Sequence, residues 1–168
     1  KIGSKFFEIE RIRKGILTNP NEQIIDDYIT KIEITYNRYI TINHEFNKLK
    51  NNSKSLFSLI SKTSNYKSYS SSYSNILSLI QDIDVFVSGN KSKMDIREKD
   101  VETISDRLYV AYTDIDNSYG PTALQISSLD KALLLIDKYD QMLKKLNQEF
   151  NKLKNQVEGD SGSLILDW

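Results

Sequence analysis

The clearest fold signal of the chain lies in residues 123–157, which read ALQISSLDKALLLIDKYDQMLKKLNQEFNKLKNQV. Apolar residues recur at alternating spacings of three and four over nine successive heptad positions: Leu129, Ala132, Ile136, Tyr139, Leu143, Leu146, Phe150, Leu153 and Val157. This spacing is typical of a long helix that packs lengthwise along another helix. Thr122 and Gln125 form a capping-box pattern at its start, and Gly159 is placed to end it.

A second long pattern of the same kind predicts a helix from about Pro20 to Ile60. Its apolar members are Ile25, Tyr28, Ile32, Tyr39, Ile42, Phe46, Leu49, Leu56 and Ile60. Asn19 can cap this helix, and proline suits the first helical position. Thr35 and Ser53 occupy heptad positions and weaken the pattern, so an interruption near Ser53 is expected as one alternative.

Shorter patterns separate the two long helices. Residues 61–74 are rich in serine, tyrosine, asparagine and lysine, which predicts a mobile loop. Apolar residues between Ile76 and Phe86 predict a second helix that ends by Gly89, and those between Val101 and Ile115 predict a third. Together these elements predict an all-α protein, namely a four-helix antiparallel bundle over residues 19–168 with two long helices.

Residues 1–18 have a different composition. The stretch Lys5–Arg13 (KFFEIERIR) is rich in aromatic and β-branched residues and lies between Gly3 and Gly15, which predicts a short strand. A lone strand is not stable in water. We therefore expect residues 1–18 to be the terminal strand of a preceding β-domain.

Composition limits the function classes. The 168 residues include 23 basic and 23 acidic side chains, one histidine and no cysteine. A net charge of zero argues against a nucleic-acid partner, and the absence of cysteine excludes thiolate metal sites. No apolar run reaches the roughly 18 residues of a membrane span. We expect no cofactor, no metal and no small-molecule substrate.

Three features resemble chemical or binding sites. The sequence Gly-Asp-Ser-Gly at 159–162 imitates a serine-protease nucleophile segment, but that mechanism needs a histidine base, and His44 falls inside a predicted helix. Residues 114–118 (DIDNS) hint at a calcium loop, although the glycine and the glutamate that an EF-hand requires are missing. Both segments are interpreted as turns. At the tyrosines of the serine-rich segment we expect a partner or carbohydrate contact, namely at Tyr66, Tyr69 and Tyr73.

The chain also contains an internal similarity. Residues 43–51 (NHEFNKLKN) and 147–155 (NQEFNKLKN) differ only at His44 and Gln148. A duplicated helical hairpin and independent drift toward the same amphipathic solution both remain possible explanations.

The order of parts resembles the C-terminal region of Bacteroidota sortilin-like (VPS10/BNR-repeat) glycosyl-hydrolase-type proteins. The matching stretches are Lys1–Lys5, Thr18–Pro20 and residues 117–155. In these large exported proteins a pair of β-propellers precedes an immunoglobulin-like β-domain and then a helical bundle. The resemblance implies a non-catalytic helical module of an extracytoplasmic, cell-surface or secreted protein, which packs against the rest of its parent chain or another protein. No catalytic residue carries over, since the Asp-box repeats are absent. The alternative is a free-standing, adhesin-type helical surface protein.

Overall fold

A computed structural model describes residues 22–62, 66–96, 101–115 and 120–160, and these ranges contain helices and turns with no strand. The helices are α1 (Glu22–Ile60), α2 (Tyr66–Ser88), α3 (Lys91–Asp95), α4 (Ile104–Tyr112) and α5 (Ala123–Asp160). The all-α prediction is confirmed. The predicted strand and domain boundary at residue 18 lie outside the described residues. None of the helices in these ranges is long and apolar enough to cross a membrane.

The two long helices, α1 and α5, run parallel to each other. A guanidinium nitrogen of Arg38 lies 2.7 Å from Oδ1 of Asp137, and the hydroxyl of Tyr139 donates to Oδ1 of Asn43 over 3.2 Å. Further along α1, residues 45–52 face residues 140–154 of α5 across a groove. Residue numbers therefore rise together along both helices.

Helices α2 and α4 run in the opposite direction and occupy successive parts of a third position in the bundle. Asp84 of α2 pairs with Lys50 at 2.5 Å, whereas the hydroxyl of Tyr39 lies 3.4 Å from Oγ of Ser105 in α4. Helix α2 ends just before Gly89, which has a φ of 76°. The short helix α3 lies between α2 and α4. This differs from the predicted four-helix antiparallel bundle, because α2 and α4 together make one pass and the next helix, α5, therefore runs parallel to α1.

The break divides the bundle into two halves. The lower half contains residues 22–40, 101–115 and 120–137, and the upper half contains residues 41–62, 66–88 and 138–160. Helix α1 begins at Glu22, at the end of the lower half that is far from the break.

The core follows the heptad positions closely. All nine predicted apolar positions of α5 are buried, and Tyr139 at the centre is fully buried. Helix α1 continues without interruption through its two polar heptad positions, Thr35 and Ser53. Both are buried, and each hydroxyl donates to the carbonyl four residues earlier, at 2.7 Å for Thr35 and 2.8 Å for Ser53. A satisfied hydroxyl costs little in a helical core, which explains the continuity.

The prediction of a loop over residues 61–74 is wrong for residues 66–74, which belong to α2. Serine content favoured a loop, but Tyr69 and Tyr73 extend the heptad pattern of Ile76, Ile80 and Ile83 toward the N-terminus. All five side chains are buried in the core. Burial of two aromatic rings outweighs the weak helix preference of the intervening serines.

Helices α4 and α5 each begin with a capping box. At α5 the amide of Gln125 donates to Oγ1 of Thr122 over 3.2 Å, and the amide of Thr122 donates to Oε1 of Gln125 over 2.7 Å, as predicted. The same reciprocal bonds join Thr103 and Asp106 at the start of α4. That second box was missed, although its sequence signal, T-x-x-D, is present.

Candidate functional site

The three tyrosines predicted as a contact site lie at the upper end of the bundle. The ring of Tyr73 stacks on Phe57 at 4.2 Å between centroids, and Tyr66 meets Phe57 edge-on at 6.3 Å. The hydroxyl of Tyr69 donates to Oδ2 of Asp160 over 2.6 Å. Tyr69 and Tyr73 are buried, while Tyr66 stays 40% exposed. The structure thus brings them together mainly as packing, and a partner contact at these residues stays a prediction.

A polar and aromatic cluster fills the centre of the bundle beside the break between α2 and α4. Tyr139 makes ring contacts with Tyr39, Phe46 and Phe86 at 6.1 to 6.5 Å. Next to this cluster a cavity of about 420 Å³ is lined by Asn43 and eight other residues. Burial raises the pKa of Tyr139 well above its ordinary value. The hydroxyl donates to Oδ1 of Asn43 over 3.2 Å and so acts as a structural donor.

A groove of about 400 Å³ separates the two similar sequence segments, 43–51 and 147–155, which lie on the parallel helices α1 and α5. Its floor is apolar, with Leu49, Leu143 and Phe150, and its rim is polar. Lys144 on the rim is already paired with Asp140 at 2.7 Å. The two similar segments are neighbours in the fold, and both explanations of their similarity, duplication and independent drift, stay hypotheses.

The two halves of the bundle differ sharply in surface character. Fourteen large apolar side chains are exposed among the described residues. Ten belong to the lower half, three to the upper half, and Ile96 lies between α3 and α4. The lower half carries nine acidic and four basic residues, whereas the upper half carries seven acidic and ten basic residues. The lower half is therefore apolar and acidic, and the upper half is basic.

The largest cluster of these apolar side chains borders the contact between α1 and α4. Ser105, which touches Tyr39 of α1, shares one stripe of α4 with Tyr109 and Tyr112, at spacings of four and three. A matching stripe of α1 carries Ile29, Glu33, Tyr36, Ile40 and Asn43. We call the four exposed members the α1/α4 surface: Tyr36 (51% exposed), Ile40 (44%), Tyr109 (71%) and Tyr112 (62%).

The border of the α1/α4 surface is acidic. Asp26 and Glu33 lie on the α1 stripe, and Asp106 follows Ser105 on α4; all three are exposed. Glu102, which precedes α4, is already paired with Arg107. Neither stripe contains a basic residue, so the surface suits an occupant that is both apolar and positively charged.

The opposite side of α1 carries a smaller apolar patch with mixed charge. Ile34 and Leu134 lie about one turn before the paired residues Arg38 and Asp137, and they are 64% and 69% exposed. Lys31 also lies on this side of α1. This patch matches the α1/α4 surface in position along the bundle but not in charge.

The residues considered for catalysis do not form a site. His44 is exposed on α1 and lies among Ile40, Asn43, Asn47 and other side chains of the same helix. Ser161 lies outside the described residues. Within the described ranges, no group of three or more histidine and carboxylate side chains could hold a metal ion. At the predicted calcium-like turn, Asp114 adopts a φ of 58° just after the end of α4.

Comparison of the chain with protein-family models, with curated proteins and with solved structures finds no match.

Proposed function

We propose that this chain is a non-catalytic helical interaction module of an exported, cell-surface protein, and that the lower half of the bundle is its contact surface. The parent protein is proposed to be of the sortilin-like BNR-repeat type, on the resemblance given above. The observation that carries the proposal is the concentration of ten exposed large apolar side chains in the lower half. Exposed apolar clusters with a polar border are typical of protein–protein contact surfaces.

The side chains on this surface are also the kinds that stabilise interfaces. Tyrosine is enriched at the centres of protein contacts, because its ring buries a large area and its hydroxyl can still find a partner. Three of the four residues of the α1/α4 surface are tyrosines. The buried Tyr139 hydroxyl is by contrast bonded within the bundle, to Asn43.

The proposal is tested by comparing the chain alone with the chain joined to whatever residues its gene encodes before Lys1. Amide hydrogen exchange is measured in α4 and, as an internal control, over residues 143–157 of α5. We expect slower exchange of α4 in the longer protein and no change in the control segment. Equal exchange of α4 in both proteins would contradict a contact surface in the lower half.

A matched pair of variants makes this test specific. Tyr109→Glu places a charge on the α1/α4 surface, whereas Lys145→Glu changes a charge on an exposed position of the upper half. Only the first should abolish the extra protection of α4. If upstream residues of any kind leave α4 unchanged, the free-standing adhesin-type protein becomes the better hypothesis, and Tyr66 is its first residue to test.

A further inference from the structure

We infer that the cavity beside the break between α2 and α4 binds a small, neutral, polyhydroxylated ligand of the monosaccharide class. The inference concerns binding without reaction and goes beyond the proposed function. None of the four members of the α1/α4 surface lines this cavity, so a partner on that surface and a ligand in the cavity are separate contacts. The exchange test of α4 uses no sugar, and the two proposals therefore fail or hold independently.

The cavity lies where the third position of the bundle is interrupted. Helix α2 ends at Ser88 and α4 begins at Ile104, and Ser88 and Ser105 line the cavity from these two helices. Residues of α1, among them Asn43, form the rest of its wall. Its volume of about 420 Å³ falls in the range of roughly 300 to 1,000 Å³ that small-molecule sites occupy. The space therefore admits a ligand of one sugar ring.

The lining of the cavity is unusually polar. Seven of its nine residues carry a hydroxyl, amide or carboxylate group. Small-molecule sites are usually lined mainly by apolar side chains with a few polar groups. This lining offers donors and acceptors side by side. It suits a ligand whose surface consists mostly of hydroxyl groups, because each hydroxyl both donates and accepts.

Two asparagines of α1 supply a donor and an acceptor in fixed orientations. Oδ1 of Asn43 accepts the hydroxyl of Tyr139 over 3.2 Å, which leaves Nδ2 of Asn43 as a donor. Nδ2 of Asn47 donates to the backbone carbonyl of Asn43 over 2.9 Å, which leaves Oδ1 of Asn47 as an acceptor. Both residues line the cavity, one helical turn apart on the same face. They are placed to bind two neighbouring hydroxyl groups of one ligand.

The charge of the cavity selects a neutral ligand. Asp84 is the only charged residue among the nine, and its Oδ2 already pairs with Lys50 at 2.5 Å. A cationic ligand would compete with Lys50 for this carboxylate. None of the nine is basic, so a phosphate or carboxylate group would enter without a countercharge. An uncharged sugar avoids both costs and still finds an acceptor in Oδ1 of Asp84.

Titration of the isotope-labelled chain, followed by NMR, tests the inference. The side-chain amide signals of Asn43 and Asn147 are recorded while D-glucose, D-galactose or N-acetyl-D-glucosamine is added. Asn147 is the control, because it holds the equivalent place in the similar segment and lines the groove between α1 and α5 instead. We expect at least one sugar to shift the Asn43 signal with half-saturation at or below about 10 mM, and to leave Asn147 unchanged. No shift at Asn43 with any of the three sugars, or equal shifts at both residues, would overturn the inference.

Isosteric substitutions test the roles of the two asparagines. Asn43→Asp keeps the acceptor for Tyr139 but removes the donor, whereas Asn47→Asp keeps the acceptor that faces the ligand. Both add one negative charge, so they differ in the lost donor. Read from the backbone amide of Ser105, half-saturation should rise at least ten-fold in Asn43→Asp and less than about three-fold in Asn47→Asp. Equal weakening in the two variants would contradict the assigned roles.

Filling the cavity provides a check that does not depend on the asparagines. Ser105→Leu adds an apolar side chain to the lining, and Ser127→Leu is the matched control at an exposed position of α5. The first should abolish the sugar-induced shift and the second should preserve it, with circular dichroism to verify that both variants fold. Shifts that persist in Ser105→Leu would overturn the inference.

Charged derivatives of the sugar that binds test the argument from charge. Its 6-phosphate and its protonated 2-amino derivative should each bind at least ten-fold more weakly than the neutral sugar. Equal or tighter binding of either derivative would overturn the assignment of a neutral ligand.

Discussion

Ser128 offers a sensitive test of how the lower half is packed. Its side chain is fully buried in α5, and its Oγ is a buried polar atom with no hydrogen-bond partner. Its neighbour Ser127 has the same side chain on the same helix but is exposed. Replacing each serine by alanine in turn separates the effect of burial from the effect of helix propensity.

The expected magnitudes follow from two contributions. Alanine is favoured over serine in a helix interior by roughly 0.5 kcal/mol at either position. At Ser128 the substitution also removes a desolvated hydroxyl, whose uncompensated burial costs about 1 kcal/mol or more. We therefore expect Ser128→Ala to raise the free energy of unfolding by about 1.5 kcal/mol and Ser127→Ala to raise it by about 0.5 kcal/mol.

Urea denaturation followed by circular dichroism measures both values, with the slope of the transition as a check that the unfolded state has not changed. For a chain of this size the Ser128 variant should melt about 3 to 6 °C higher than the parent chain. Equal stabilisation by the two substitutions, or a lower free energy of unfolding in Ser128→Ala, would show that the buried hydroxyl has a hydrogen-bond partner. Either result would contradict the packing described for Ser128.

Three further predictions concern the core, the pH dependence and the absence of catalysis. Leu143→Asp should lower the free energy of unfolding by several kcal/mol because it buries a charge, while Lys145→Asp should cost under about 1 kcal/mol; equal melting temperatures would contradict the heptad assignment. Burial raises the pKa of Tyr28 from 10.0 to about 12, so its contribution to stability is complete below pH 10 and is lost as the pH rises toward 12; thermal melting should show a smaller loss over that range in Tyr28→Phe. The purified chain should not hydrolyse ester, peptide or glycoside substrates, and turnover that His44→Ala or Ser161→Ala abolished would contradict the non-catalytic proposal.

Heptad periodicity predicted the long helices well, because burial of a continuous apolar stripe is a property of local sequence spacing. The Thr122 capping box was predictable for the same reason, since its partners are three residues apart. The loop error at Tyr69 and Tyr73 arose because tyrosine can serve as a core residue when its hydroxyl finds a partner, here Asp160. That partner lies 91 residues away from Tyr69, so no local pattern reveals it.

Helix direction and the candidate surface were beyond local patterns as well. The spacing of apolar residues does not tell whether a short helix reverses the chain or continues it, so the shared pass of α2 and α4 was missed. The exposed residues Tyr109 and Tyr112 gave no sequence signal of their own. Tyr112 follows Leu108 at a heptad spacing, which is typical of a core residue, and only the placement of α4 against α1 shows it to be exposed.

Among the described residues, the lower half carries five more acidic than basic side chains and the upper half three more basic than acidic ones, so the two ends of this part of the chain have opposite charge. With 39 residues in α1 the bundle is about 58 Å long, so the centres of the acidic and basic halves lie about 29 Å apart. That distance exceeds the Debye length of about 8 Å at physiological ionic strength. Each end therefore meets its surroundings as a charged body of its own sign. At low ionic strength the described helices should turn their basic end toward an anionic surface and leave the tyrosine-bearing end pointing away.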